Sequence, residues 1–174
     1  YADSPRPPAL PWSHPHFKKA RELFMNLIPI EGGVCAAKGF QAAGVHCGIR
    51  KNRSKKDLAL IYSQTECAVA CTYTQNKVFG APITVTRKHV ANGKAKAIIC
   101  NSGNANTCNA NGVEIAEKTC ALTAEALGIS AEDVVVASTG VIGQPLSIDP
   151  IAAGLPVLAS QLSVQGSTDA CEGI

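Results

Sequence analysis

The chain has 174 residues, a mass of 18.0 kDa and a composition that is 46% hydrophobic but only 5% aromatic, which allows one domain with a core of mainly Ala, Val, Ile and Leu. Its formal net charge of +3 is uneven: residues 1–97 carry 15 basic and 5 acidic side chains, and the remainder 1 (Lys118) and 8. No run reaches the roughly 18 apolar residues of a membrane span, and the densest basic run has neither aromatics nor a recognition helix beside it, so neither a membrane nor nucleic acid is expected as a partner.

Residues 1–24 differ in kind from the rest. They hold five of the ten prolines, two of the four histidines and the only tryptophan, and the only methionine, Met25, follows them. This predicts a leader or extension over 1–24 outside the fold and a folded domain over 25–174, with a Pro-rich arm as the alternative. A Gly-punctuated extended segment, "GGVCAAKGFQAAGVHCGI", then leads into "RKNRSKKD" (50–57), read as a solvated hairpin loop. "DLALIYS" (57–63) and "CAVACTYT" (67–74) read as two short strands with a tight turn between them. "APITVTRKHV" (81–90) reads as a segment that begins as a strand and finishes as a helical turn, with a periodicity that does not settle which.

The clearest unit follows. "AKAIICN" (95–101) predicts a buried strand, and the Asn- and Gly-rich stretch after it a loop. "GVEIAEKTCALTAEALG" sets Ala116, Cys120, Thr123 and Leu127 along one helical face, with Gly128 just past the end. "DVVVAS" (133–138) is an apolar strand, so strand, helix and strand form a βαβ unit with parallel strands. In "DPIAAGLPVLASQL", Asp149 is the expected N-cap, Pro150 the first helical residue, and Pro156 a kink or division.

Eight cysteines (35, 47, 67, 71, 100, 108, 120 and 171) form no C-x-x-C pair and no zinc spacing with the histidines. All eight are read as thiols, which predicts a reducing compartment and no metal. His46 and His89 flank no nucleophile and read as ordinary surface or core residues.

Parallel strands deliver their carboxyl ends to one edge of a sheet, where sites form in open α/β folds. Two loops meet that edge here, "NSGNANTCNANG" (101–112) and "STGVIGQPL" (138–146). Neither holds a carboxylate dyad or a Cys–His pair, and both are rich in small neutral hydrogen-bonding groups. Gly140 directly after a strand offers a main-chain N–H, and Thr139 a hydroxyl, to a developing negative oxygen. Taken alone, Thr139 reads more readily as a strand-to-loop turn residue capping its own backbone. Neither a dinucleotide fingerprint nor a phosphate loop is present, so no nucleotide cofactor is expected.

At these same residues the sequence resembles the ornithine acetyltransferase (glutamate N-acetyltransferase) family, in its amino-terminal, α-chain half. The resemblance runs in order through "GGVCAAKGFQAAGVHCGI", "DLALI", "TQNKVFGAPITVTR", "AKAIICNSGNANTC" and "VVVASTGVIGQPL", and covers Glu31 onward. It implies a precursor that cleaves itself into α and β chains, the new β-chain terminal threonine being nucleophile and its amine the base. It implies ping-pong acetyl transfer from N-acetylornithine to glutamate, in arginine biosynthesis, with acetyl-CoA a further substrate of some members and no bound cofactor. The implied fold is a layered αββα sandwich of the α/β class, its mixed sheet holding the βαβ unit and completed by the β chain. Thr139 and Gly140 match the family's oxyanion-hole pair. The implied assembly is α2β2 or larger, in the cytoplasm or, in a eukaryote, the mitochondrial matrix.

The family's α chain continues through a Thr-Thr-Asp segment and a Lys-Gly-Ser-Gly loop that these 174 residues do not contain. The nucleophile therefore lies outside them, and alone they are expected to be inactive. Two other readings share the same residues: an amidase or aminopeptidase of the same autoprocessing architecture, and a non-catalytic partner-binding fragment.

Overall fold

Four apolar runs bounded by polar or glycine-bearing segments pair into one mixed sheet. The computed structural model describes residues 30–174, with Gly32–Ile174 as its compact unit, so the expectations for residues 1–24 fall outside the described residues. The strands are β1 (Phe40–Val45), β2 (Leu58–Ala68), β3 (Lys94–Asn101) and β4 (Val134–Ser138), lying in that order across the sheet. β1–β2 and β2–β3 are antiparallel and β3–β4 is parallel. The helices are α1 (Ala81–His89), α2 (Gly112–Leu127), α3 (Asp149–Ser160) and α4 (Ser167–Glu172). The α/β class, the mixed sheet and the βαβ unit β3–α2–β4 expected from sequence are all present.

Alternation along the strands sorts their side chains onto two faces. Leu58, Leu60, Ala97, Ile99, Val134 and Val136 meet Val85 of α1, Ile115, Ala116 and Cys120 of α2, and Ile151, Leu155 and Leu158 of α3. Leu58, Leu60, Ile99, Ile151 and Leu158 are completely buried, each side chain contributing about 1.5–3 kcal/mol relative to exposure. On the opposite face, Ala170 of α4 packs on Ala42 of β1 and Ala59 of β2. Ile98 of β3, on that second face, is 40% exposed.

α2 matches its expected span, ending at Gly128 with φ 65°, the left-handed conformation that glycine adopts without a Cβ penalty. All eight cysteines are free thiols. Cys120 and Cys100 are buried as small hydrophobes, and burial raises their pKa values to about 12 and about 11.

Several local expectations are corrected. There is no turn at 64–66 and no separate strand at 67–74; β2 runs on to Ala68 through an irregularity between Tyr62 and Cys67. Ser63 makes this possible, its Oγ accepting from Thr65 N (3.3 Å) and Cys67 Sγ (3.1 Å), while Gln64 N still pairs with Gly39 O. "APITVTRKH" is a helix from its first residue, with Gly80 flanking it and Pro82 in the first turn, where no backbone donor is needed. Asp149 is the first residue of α3 and not its cap; the Ser147 hydroxyl accepts from Asp149 N (3.2 Å). Pro156 neither ends nor divides α3, which continues to Ser160.

Among the described residues, the outer edge of β4 is met by side chains and not by another strand. Thr86 Oγ1 donates to Val136 O (2.8 Å) and accepts from Val136 N (3.2 Å), and His89 Nδ1 lies 2.8 Å from Val134 O. Both residues are buried. His89 is thus a core histidine, as read from sequence. Together with Thr86 it satisfies an edge that would otherwise recruit foreign strands.

The β1–β2 loop departs most from its expectation as a simply solvated basic run. Its last residue, Asp57, is fully buried. The Oδ1 atom accepts from Cys47 N (2.6 Å), and Oδ2 from Arg50 N (2.8 Å) and Gly48 N (3.2 Å), with His46 Nδ1 3.2 Å away. Lys56 pairs with Asp169 and Glu172 of α4, tying the loop to that helix. Burial alone would raise the Asp57 pKa, but the N–H groups of Cys47 and Arg50, with His46, outweigh it and hold the carboxyl below its ordinary 3.8. Cys47 is pushed up to about 12 by burial and then by the Asp57 charge, so it is an inert thiol.

Two outcomes are expected. Thr86→Val, close in volume, strands two buried main-chain groups and should cost about 1–3 kcal/mol in chemical denaturation; an unchanged transition would show that the edge does not rely on Thr86. Because the folded Asp57 pKa is depressed, its stabilisation is present above its unfolded value and lost as pH falls through the folded one. The stability gap between wild type and Asp57→Asn should therefore hold at neutral pH and shrink below about pH 4, which denaturation midpoints measured across that range would check.

Candidate active site

Three loops converge where β3 and β4 deliver their carboxyl ends. In register, Val45 pairs with Leu58, Leu58 with Asn101 and Asn101 with Ser138, so the β1–β2 loop, the loop after β3 and the loop after β4 share one edge. There the β3–β4 pairing does not stop with the strands. Thr139 N donates to Asn101 O (2.9 Å), Val141 N to Gly103 O (3.2 Å), Ala105 N to Val141 O (2.9 Å) and Gly143 N to Thr107 O (2.9 Å). Asn104 and Val141 form an isolated parallel bridge within this run. The two polar loops are one continued ladder.

The asparagines are the means of that continuation. Asn101, Ser102, Asn104, Asn106 and Thr107 are all buried. Buried main-chain groups that leave a regular ladder need partners, and short amides supply donor and acceptor together. Asn101 Oδ1 accepts from Ser138 Oγ (2.6 Å) while its Nδ2 donates to Asn104 O (2.9 Å). Asn104 Oδ1 accepts from Asn106 N (2.8 Å), and its Nδ2 donates to Gln144 O (3.0 Å). Asn109 Nδ2 reaches the same Gln144 carbonyl at 2.8 Å. Asn106, at φ 46°, donates from Nδ2 to Gly112 O (2.8 Å), the first residue of α2. These amides hold the two loops to each other and to the helix behind them.

Thr139 and Gly140 stand exposed on this framework. The amides on either side, Thr139 N and Val141 N, are tied into the ladder. Among the described residues, neither Gly140 N–H nor the Thr139 hydroxyl has a hydrogen-bond partner. Gly140 has φ 133°, and a Cβ there would collide with the Gly103 carbonyl carbon and lie 2.5 Å from Asn104 N. Only glycine lets the second loop rest on the first. The glycine read from sequence as an opening towards a substrate is thus first an opening towards Gly103.

Gly103 (φ 95°) is in turn covered by the β1–β2 loop, a Cβ on it meeting Arg50 Cγ at 2.9 Å and Ile49 Cγ2 at 3.2 Å. The edge also receives the end of α4: Ser102 Oγ donates to Gly173 O (2.7 Å). A cavity of about 370 Å³ opens beside the site, lined by Tyr73, Pro82, Thr86, Ala105, Thr107 and Ser138. Sequence reasoning missed Asp57 and the supporting work of Asn101 and Asn104. One acid at the end of a run of cations, directly before an apolar strand, was the signal available for Asp57. His46 lies in this region beside Asp57, paired with Lys55 O at 2.9 Å. No group of three or more His, Cys, Asp or Glu among the described residues is placed to hold a metal ion, and no described helix is long and apolar enough to cross a membrane. What the arrangement offers chemically is a rigid, neutral pair of hydrogen-bond donors at a sheet edge.

The ArgJ family model matches residues 41–174. The chain is 46% identical over 147 residues to the arginine biosynthesis bifunctional protein ArgJ of Symbiobacterium thermophilum and 48% identical to that of Gloeobacter violaceus, in each case over 83% of its own length. It spans 37% and 36% of the length of those curated relatives. Among solved structures it is similar to ornithine acetyltransferase from Mycobacterium tuberculosis complexed with ornithine, with a TM-score of 0.77 and 34% identity, covering 82% of this chain and 78% of that one. It is similar also to an ArgJ crystal structure from Bacillus halodurans, with a TM-score of 0.75 and 38% identity, covering 82% and 75%. With the family model matched over most of its length and the same fold in solved members, the chain belongs to the ArgJ family.

Proposed function

We propose that this chain is the α portion of an autoprocessed acetyltransferase of arginine biosynthesis, moving acetyl from N-acetylornithine to glutamate, with Thr139 and Gly140 as its oxyanion hole. The observation that carries the reading is the pair of unclaimed donors, Thr139 hydroxyl and Gly140 N–H, between amides that are both tied down. Acyl transfer places negative charge on the former carbonyl oxygen in each tetrahedral intermediate. Donors already fixed by a ladder need no reorganisation when that charge appears. The names of the relatives support the pathway, and the ornithine bound by the Mycobacterium tuberculosis protein supports the substrate.

In this reading the nucleophile is the terminal threonine of a β chain from the same precursor. Its hydroxyl attacks the acetyl carbonyl of N-acetylornithine, the amine takes the proton, and collapse expels ornithine and leaves an acetyl ester. The glutamate amine attacks that ester by the reverse sequence. Thr139 and Gly140 would bind the oxygen in both passages, and acetyl-CoA would be an alternative donor through the same ester. The neutrality of the surrounding Asn, Ser and Thr residues suits this, since a charge there would shift the pKa of the nucleophilic amine or repel the oxyanion. The partly uncovered second face of the sheet fits a covering β chain and an α2β2 or larger assembly. Eight free thiols fit the cytoplasm or another reducing compartment.

In the complete processed protein, Thr139→Ala should lower kcat about 10²–10³-fold with KM little changed, the usual cost of one oxyanion donor. Gly140→Ala should be worse, because its methyl drives the second loop off Gly103 as well. Steady-state kinetics with N-acetylornithine and glutamate would decide, and wild-type kcat in both variants would remove the assignment.

A further inference from the structure

The buried carboxylate of Asp57 lies on the far side of the candidate oxyanion edge, and every step between them is in contact. Its two oxygens accept from Cys47, Gly48 and Arg50 N–H, so the segment Cys47–Arg50 is wrapped around it. That segment lays Ile49 and Arg50 against Gly103, and Gly140 rests against the Gly103 carbonyl carbon and Asn104 N. The Asp57 main chain is bound into the same place, its N–H donating to Val45 O and its carbonyl accepting from Ser102 N, both at 2.9 Å. Ser102 and Gly103 are therefore held by Asp57 from two directions. A loop carrying Arg50, Lys51, Arg53, Lys55 and Lys56 packs Cys47 and Ile49 against the core but needs a further reason for its charged remainder to lie down on a sheet edge. Three converging N–H groups on one anion supply that reason.

We propose that Asp57 is a positioning residue for the oxyanion donors, fixing the Gly103 peptide on which Gly140 and the free donor pair depend. The inference rests on the oxyanion role proposed for Thr139 and Gly140. A carboxylate is needed because both oxygens must accept: in Asp57→Asn one of them becomes an NH2 group facing main-chain N–H donors. The Cys47–Arg50 segment would then swing away from Gly103. The Gly140 N–H would lose its fixed direction, while groups that bind the substrate's distant parts would stay in place.

The test uses the complete processed protein, comparing wild type, Asp57→Asn, Arg50→Ala, Thr139→Ala and the Asp57→Asn/Thr139→Ala pair. Arg50→Ala keeps the Arg50 N–H on Asp57 and removes only the side chain lying on Gly103. The readout is the single-turnover rate constant for acetylation by N-acetylornithine, with kcat and KM beside it. A loss of folded protein changes the amplitude of that reaction and not its rate constant. Asp57→Asn should slow acetylation about tenfold or more with KM within about twofold, and Arg50→Ala severalfold. In the double variant the two losses should fall short of full multiplication, because Asp57 positions both donors through the Gly103 peptide and one of the two is already gone. Wild-type acetylation by folded Asp57→Asn, fully multiplicative losses, or a change in KM alone would overturn the inference. If Asp57→Asn yields no folded protein, Arg50→Ala decides, and a wild-type rate constant there overturns it. Should Thr139→Ala itself acetylate at the wild-type rate, the oxyanion reading falls; should it be slow while Asp57→Asn is normal, only the role of Asp57 does.

Discussion

The structure turns on one close approach of main chain to main chain, Gly140 against Gly103 and Asn104. A Cβ at Gly140 would occupy the space of the Gly103 carbonyl carbon. Because there is none, the loops after β3 and β4 remain within hydrogen-bonding distance well beyond the end of the strands. The parallel pairing of β3 and β4 extends through Val141 and Gly143 to Thr107. Loops at such an edge usually diverge, since each leads to its own helix. Here they leave together, and the exposed pair Thr139–Gly140 inherits the rigidity of the sheet.

That continuation determines the chemistry of the surrounding side chains. Off the regular ladder, main-chain carbonyls turn inward without partners, and burying them unpaired is costly. Asn101, Asn104 and Asn109 each donate to one of these carbonyls. A lysine in the same place would bring a buried charge and a long, entropically expensive side chain. An aspartate could only accept. The amide is a short group that donates and accepts without charge, which suits the segment to Asn. The buried carboxylate of Asp57 accepts from main-chain N–H groups of the β1–β2 loop, the same loop that lays Arg50 on Gly103.

The remaining edges of the sheet are managed in a related way. α1 offers Thr86 and His89 to the free side of β4, so a strand end that borders the site is closed by side chains rather than left as a template. α4 reaches the same end of the sheet, Gly173 O accepting from Ser102. Helices thus serve twice: their apolar stripes form the core, and a few polar residues hold the edge from which Thr139 projects.

Periodicity and turn chemistry in the amino-acid sequence determined the βαβ unit, the span of α2, the burial of Cys100 and Cys120, and the two loops that form the candidate site, because these depend on short-range pattern. The same reasoning misjudged residues 64–74, where a bulge stabilised by Ser63 outweighed local propensity, and left 81–89 open between strand and helix, which packing decided for the helix. Resemblance of "NSGNAN" and "STGVIG" to a known family pointed to Thr139 and Gly140, and the fold placed both loops on one edge. Only the tertiary structure decided that the asparagines are buried supports, that Gly140 makes room for Gly103, and that Asp57 lies beneath a basic loop. Each of those facts joins segments far apart in the chain, and no local pattern records which main-chain carbonyl a side chain will find across that distance.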